Sequence, residues 1–279
     1  LLAGRAVLVD TILREVWAAL AMPEICALAA VGGYGRGVLH PGSDVDLLIL
    51  VPDAEHTACN PESAQRLEQL IGLLWDIGLD IGHSVRSIDQ CLDEAERDIT
   101  VQTSLLEARF LAGSKSLFDE FEQSYNAGLK PEEFLKAKRL EQAERYAKFN
   151  DTPYSLEPNC KESPGGIRDL QVILWIARAA GIGDDWKALA RAGLITTAEV
   201  RQFERVDQLL RDLRIELHIL VGRREERLLF DHQEKLAAAL GIQATESKRA
   251  SEVLMQRYYQ NAKLVTQLNS LVLQELDQR

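Results

Sequence analysis

Two aspartates two residues apart, Asp44 and Asp46, lead into an apolar run, Val45-Asp46-Leu47-Leu48-Ile49-Leu50-Val51. Alternate residues of a strand point to one face, so the two carboxylates project side by side. Like charges held that close repel unless a cation sits between them. Hard oxygen donors suit Mg²⁺, which takes one or two carboxylates and completes its shell with phosphate oxygens and water. Near a triphosphate, such a pair can hold two ions that bridge the attacking and leaving oxygens. Upstream, Gly32-Gly33 closes another apolar run, Ile25 to Val31. Glycine lets the backbone approach phosphate, and main-chain N–H groups can grip it. Either pattern alone is weak. In order, they point to metal-dependent nucleotidyl transfer. The alternative is a glycine turn beside a solvated acidic strand edge, and Asp46 inside an apolar run argues against it.

A third carboxylate is expected on a neighbouring strand. Asp80, in Gly78-Leu79-Asp80-Ile81-Gly82-His83-Ser84-Val85, is the best placed, with a turn aspartate as the alternative. Asp76 lies nearer a helix end and is the poorer candidate. Gly32 and Gly33 are expected to hold the phosphates, with Ser43 and Arg36 as lesser candidates. Arg36 has a second reading as a solvated loop charge. Gly33 to Val38 fails G-x-G-x-x-G at its last position, and neither a P-loop nor a G-x-S-x-G elbow occurs. His40, His56, His83, His218 and His232 have no metal-ligand spacing. His40 and His83 border the candidate site, and His218 falls in a helical stripe and reads as structural.

The elements that must position these groups follow from periodicity. Val9, Ile12, Leu13, Val16 and Leu20 predict a helix over 5–20. Ile25 to Val31 predicts a short buried strand. Gly32 to Gly37 is too glycine-rich for the interior of an element. Val45 to Val51 is apolar on both faces and predicts a central strand. Pro61 to Trp75 predicts a helix and Leu79 to Val85 a third strand. From about Ser87 onward the chain reads as helix. Val200, Phe203, Val206, Leu210, Leu213, Leu217 and Leu220 form one stripe. Leu254, Tyr258, Asn261, Val265, Leu268 and Val272 form another, a packing helix or a short coiled-coil seam. Between them, Leu156 to Asp169 carries two prolines and two glycines and predicts a loop feeding a helix near Ile167. The expected fold is α+β: a small nucleotidyltransferase sheet domain over 1–112, then an all-α domain over 113–279.

The 279 residues are 46% hydrophobic and 27% charged, an ordinary globular composition. A net charge of −11 argues against nucleic acid as a partner, since phosphate backbones favour basic surfaces. No apolar run is long enough to span a membrane. Cys26, Cys59, Cys91 and Cys160 form no C-x-x-C pair, which argues for a reducing, cytoplasmic setting. The start at Leu1, without Met or a signal-peptide pattern, suggests a piece of a longer chain.

These motifs carry a resemblance. Val31-Gly32-Gly33-Tyr34-Gly35-Arg36-Gly37 and Leu39 to Leu48 resemble the nucleotidyltransferase motif of the bacterial PII uridylyltransferase/uridylyl-removing enzyme family. The likeness continues at Gly82 to Arg86, Leu105 to Arg109, Leu156 to Asn159, Lys161 to Leu170, Trp175 to Arg178 and Arg227 to Asp231. The stretch Ser163-Pro164-Gly165-Gly166-Ile167-Arg168-Asp169 separates this family from generic polymerase-β-like transferases. The resemblance implies a polymerase-β-like sheet domain with a helical domain, UTP as donor and a tyrosine of the PII signalling protein as acceptor. It implies two Mg²⁺ ions, with Mn²⁺ as a substitute, on Asp44, Asp46 and Asp80. It also implies that Lys161, Ser163 and Arg168 bind the nucleotide, with Asp169 orienting Arg168. The family's HD domain is expected to be absent, because no His-Asp dipeptide occurs, and its ACT domains as well, because the chain stops where the helical domain should end. The chain is therefore expected to transfer UMP without removing it by HD chemistry. A related transferase using ATP or another acceptor is the second expectation.

Overall fold

The computed structural model describes residues 1–52 and 61–277. They form two compact units, Leu1–Leu129 and Lys130–Arg279. The fold is α+β, with one four-stranded sheet among the described residues of the first unit and helices in the second. His56 and Cys59 lie outside the described residues.

The first unit opens with α1 (Leu2–Ala19), which buries Ala6, Val9, Leu13 and Trp17 at helical spacing. Then come β1 (Ala27–Ala30), α2 (Gly32–Gly35), β2 (Val45–Leu50), α3 (Pro61–Asp76) and β3 (Ile81–Arg86). After them run α4 (Ile88–Arg97), α5 (Ile99–Leu106), β4 (Arg109–Gly113) and α6 (Lys115–Gly128). The strand order is β3-β2-β1-β4. β1 pairs antiparallel with β2 and β4, and β2 pairs parallel with β3. A parallel pair needs a crossover, which the stretch containing α3 supplies. β2 is interior and buried at every position except the half-buried Asp46. Leu13 and Trp17 of α1, Leu28 and Ala30 of β1, Val45, Leu47 and Ile49 of β2, and Leu70 and Leu74 of α3 share one apolar core.

Two expectations change here. The glycine run is not free of regular structure. Gly35 N–H donates to Val31 O at 3.0 Å, and Arg36 N–H to Gly32 O at 3.3 Å, closing one helical turn directly after β1. The region after Ser87 is not all helix either. Arg109–Gly113 joins β1 as an edge strand, with Ala30 opposite Arg109 and Ala27 opposite Gly113. Only two residues part β4 from α5, so helical periodicity runs over it, and pairing to a distant strand decides its conformation. α6 packs on β1 and β4. Its Phe118 ring stands 5.6 Å from that of Phe110. The division between units therefore falls at Leu129–Lys130 rather than after residue 112.

The second unit holds α7 (Pro131–Lys148), α8 (Ile167–Ala179), α9 (Trp186–Arg191), α10 (Thr197–Val221), α11 (Phe230–Ala239) and α12 (Ala250–Asp277). α10 starts at a Thr196/Glu199 capping box and ends at Gly222 in the left-handed region. Its stripe is buried from Val200 to Leu217, with Leu220 at the exposed end. α12 packs on α8 and α11 in its own unit, which favours the packing helix. Ala262 and Asn269 are buried there in place of Asn261.

The loop before α8 depends on Gly165. Its φ is +80°, and a Cβ would stand 2.3 Å from the Ala262 carbonyl oxygen. Gly165→Ala meets backbone strain and overlap together, so a loss of about 1–3 kcal/mol or more is expected. Thermal denaturation should show a lowered Tm, and an unchanged Tm would contradict this packing.

Candidate functional site

The glycine turn is set by a buried ionic lock. Asp10 sits among the apolar residues of α1 and is buried. Tyr34 OH donates to Asp10 Oδ1 at 2.5 Å. Arg109, from β4, donates to Asp10 Oδ2 at 2.7 Å and to Oδ1 at 3.0 Å. The same guanidinium donates to Gly35 O at 3.1 Å and Tyr34 O at 3.4 Å. Burial alone would raise the Asp10 carboxyl, but the hydrogen bonds from Arg109 and Tyr34 and the charge of Arg109 hold it below its ordinary value. Burial and then Asp10 push the Tyr34 phenol upward, so it stays a donor. Removing Arg109 would leave the Asp10 carboxylate with Tyr34 and, at 3.7 Å, Arg14, at a cost of about 1–3 kcal/mol.

Arg36 is engaged as well. Its Nη1 donates to both Glu107 carboxylate oxygens at 2.5 Å, and Glu107 is buried. Both readings of Arg36, as a phosphate ligand or as a solvated charge, omitted this partner.

Asp46 lies beside two residues without side chains. A Cβ on Gly32 would stand 3.2 Å from Asp46 Oδ2, and one on Gly82 would stand 2.8 Å from Oδ1. Gly82 is the register partner of Asp46 across the parallel pair. Gly32 has φ +56°, a region that favours glycine. Asp44 is half-buried just before β2. Asp80 is not inside a strand. It precedes β3, is exposed, and accepts from Val45 N–H through its carbonyl at 2.8 Å. Among the described residues, no three His, Cys, Asp or Glu side chains gather closely enough to hold an ion by themselves. Ser43 is half-buried, and its N–H closes a turn on His40 O at 3.1 Å.

In the second unit, the Lys161–Asp169 stretch is built around its own polar contacts. Ser163 is fully buried, and its Oγ accepts from Asn159 N–H at 3.0 Å. Its hydroxyl therefore fastens the turn, where the sequence suggested a nucleotide contact. Asn159 Oδ1 accepts from the N–H groups of Lys161 and Glu162. Asp169 does not orient Arg168. Buried, it accepts from Arg145 at 2.5 Å, Tyr146 OH at 2.6 Å and Gly165 N–H at 2.7 Å. Glu162 orients Arg168, at 3.0 and 3.4 Å, and the guanidinium lies 5.2 Å over the Trp175 ring. Lys161 Nζ stands 3.6 Å from Glu162 and is 17% exposed. Burial, and then the charge of Arg168, lower its amine to about 8. His218 is buried 3.6 Å from Glu226, consistent with a structural part.

Residues 13–103 match the family model for a nucleotidyltransferase domain, and residues 133–273 match that for GlnD PII-uridylyltransferase. The chain belongs to the GlnD PII-uridylyltransferase family. Over 273 residues it is 59% identical to a bifunctional uridylyltransferase/uridylyl-removing enzyme of Aromatoleum aromaticum. It is 55% identical to the protein of that name from Nitrosospira multiformis and 54% to that of Bordetella parapertussis. In each case 98% of this chain is matched, and the chain spans 31% of the relative. Among the described residues, no helix is long and apolar enough to cross a membrane.

Sequence reasoning missed Asp10 and Arg145, and gave no role to Glu107, Arg109 and Glu162, which it had met only inside the stretches that carry the resemblance. Asp10 was within reach: an acid in the apolar stripe Ala6, Val9, Leu13, Trp17 signals a buried partner.

Two predictions follow from this geometry. In Gly82→Ala the new methyl meets only the movable end of Asp46. Stability should hold within about 1 kcal/mol, while nucleotide affinity, if Asp46 serves that site, falls about 10–100-fold, as for lost ligand positioning. Melting curves and titration calorimetry read both, and unchanged affinity would count against Asp46. The second concerns Lys161. Between about pH 8 and 10.5 the unfolded chain keeps a proton that the folded chain has released. The folded state therefore gains stability as pH rises through that window. Urea unfolding of wild type and Lys161→Gln at pH 7 to 10 should show wild type gaining on the variant above pH 8; a pH-independent difference would refute the lowered amine.

Proposed function

We propose that this chain transfers UMP from UTP to a tyrosine hydroxyl of a PII signalling protein. The tyrosine oxygen forms a bond to the α-phosphorus, the bond from that phosphorus to the bridging oxygen breaks, and pyrophosphate leaves. The phenolic proton passes to solvent, which is an undemanding step for a group with pKa of about 10. The observation that supports this most is the Asp46 carboxylate, set between Gly32 and Gly82 inside the stretch matching the nucleotidyltransferase domain. The relatives' name, uridylyltransferase, supports uracil as the base. That name also includes uridylyl removal, but the residues argued above bear on transfer alone.

The donor set fits a divalent cation, because Asp44 and Asp46 are hard carboxylates two residues apart at the start of β2. Asp44 and Asp46 would hold Mg²⁺, or Mn²⁺ in its place. Asp80, beside Val45, is proposed as the third carboxylate of a two-ion site. The bound metal would supply charge neutralisation at the phosphates and acidify the acceptor hydroxyl. Gly32 and Gly33 would let the phosphates approach the backbone, with Ser43 beside them. Lys161 and Arg168 are proposed as cationic nucleotide contacts. The proposed substrates support a cytoplasmic setting for the reaction.

Incubation with α-labelled UTP, Mg²⁺ and purified PII should label PII on tyrosine. An Asp44→Asn/Asp46→Asn variant that still folds should lose this by on the order of 10²–10³-fold or more. Labelling from ATP and not UTP would sink the uridylyl reading.

A further inference from the structure

α5 approaches the glycine turn unusually closely, because Gly35 has no side chain. A Cβ there would stand 2.1 Å from the Glu107 carbonyl oxygen and 3.1 Å from that of Ala30. Glu107 directly follows α5, and its N–H donates back to Ser104 O at 3.2 Å. Its carboxylate holds Arg36 of the same turn. One end of α5 is thereby fastened to the glycine turn at both backbone and side chain. The other end is capped by Asp98, whose carboxylate accepts from Thr100 N–H at 2.6 Å.

This fastening carries Ser104 over Gly32. The point where a Gly32 Cβ would stand lies 3.4 Å from Ser104 Oγ and 3.2 Å from Asp46 Oδ2. A hydroxyl and a carboxylate oxygen thus both flank Gly32 on the side where a side chain would project. The two differ in what they can offer. A carboxylate is only an acceptor and repels phosphate unless a cation intervenes. A serine hydroxyl is a neutral donor and can meet a phosphate oxygen directly. The point where a Gly32 Cβ would stand is one covalent bond from Gly32 Cα, so a phosphate oxygen resting against Gly32 stands farther out from the backbone, on the side that Ser104 Oγ and Asp46 Oδ2 border, where an oxygen–oxygen hydrogen bond of about 2.5–3.0 Å to Ser104 is to be formed.

We infer that Ser104 is a nucleotide-binding residue whose hydroxyl donates to a terminal phosphate oxygen of a nucleoside triphosphate lying against Gly32. This rests on the proposed nucleotidyl-transfer reading of the same site. Asp46 serves the cation there, and Ser104 serves the anion. The contact recognises the triphosphate rather than the base, so a nucleoside monophosphate would not use it.

The test is titration calorimetry of the whole chain with UTP and with UMP, each with Mg²⁺. The proteins are wild type, Ser104→Ala and Ser104→Cys, with melting curves for all three. Loss of one hydrogen bond to a charged group should weaken UTP binding about tenfold or more in both variants. UMP binding and Tm should stay as in wild type. The cysteine variant keeps the volume if the alanine variant proves unstable. Equal weakening of UTP and UMP, or no weakening of either, would overturn the role of Ser104. Wild type that binds no UTP would remove the underlying reading as well. Wild type that binds UTP but labels no PII, with the Ser104 effect intact, would remove only the uridylyl assignment.

Discussion

The first unit depends on the backbone of Gly35 lying against the carbonyl of Glu107, at a separation that no side chain could share. That approach sets the turn after β1 and the end of α5 in one place. Arg109 then finds the carbonyls of Tyr34 and Gly35, and Glu107 finds Arg36. Asp10 completes the arrangement from α1, so three segments far apart in the chain are joined by charge-assisted hydrogen bonds. Such a set is costly to break and geometrically exact in what it permits, which suits a turn that must present a bare backbone.

Around Asp46 the same economy of side chains recurs. Gly32 and Gly82 flank its carboxylate on two neighbouring elements, and neither contributes atoms that would fill the space in front of it. The rest of β2 is buried in the core, so the strand cannot shift to relieve the acid. The strand holds this charged group half-buried beside two residues that lack side chains.

The second unit solves a related problem with different parts. Asp169 gathers Arg145, Tyr146, Gln142 and the Gly165 N–H, and thereby fixes where α8 begins. Glu162 meets Lys161 and Arg168 on the other side of the turn. Burial lowers the Lys161 amine to about 8 even with Glu162 near, because Arg168 offsets that carboxylate. Arg145 joins the two acids, donating to Asp169 at 2.5 Å and to the Glu162 carbonyl at 2.7 Å.

The sequence by itself determined the paired aspartates, the glycines ahead of them, three of the four strands of the described sheet and the long helices. These rest on local periodicity and on residue types with few other uses. It also carried the family through motifs whose order spans nearly the whole chain. Tertiary structure decided what depends on partners distant in sequence. β4 is a strand because β1 lies beside it. Ser163 Oγ fastens its turn because the Asn159 N–H points to it, and Asp169 faces α7 instead of Arg168. Asp80 stands outside the strand its apolar neighbours suggested, because ladder pairing begins at Ile81. A hydroxyl over Gly32 could not be foreseen at all, since Ser104 is one ordinary serine until the close approach at Gly35 brings α5 across the turn.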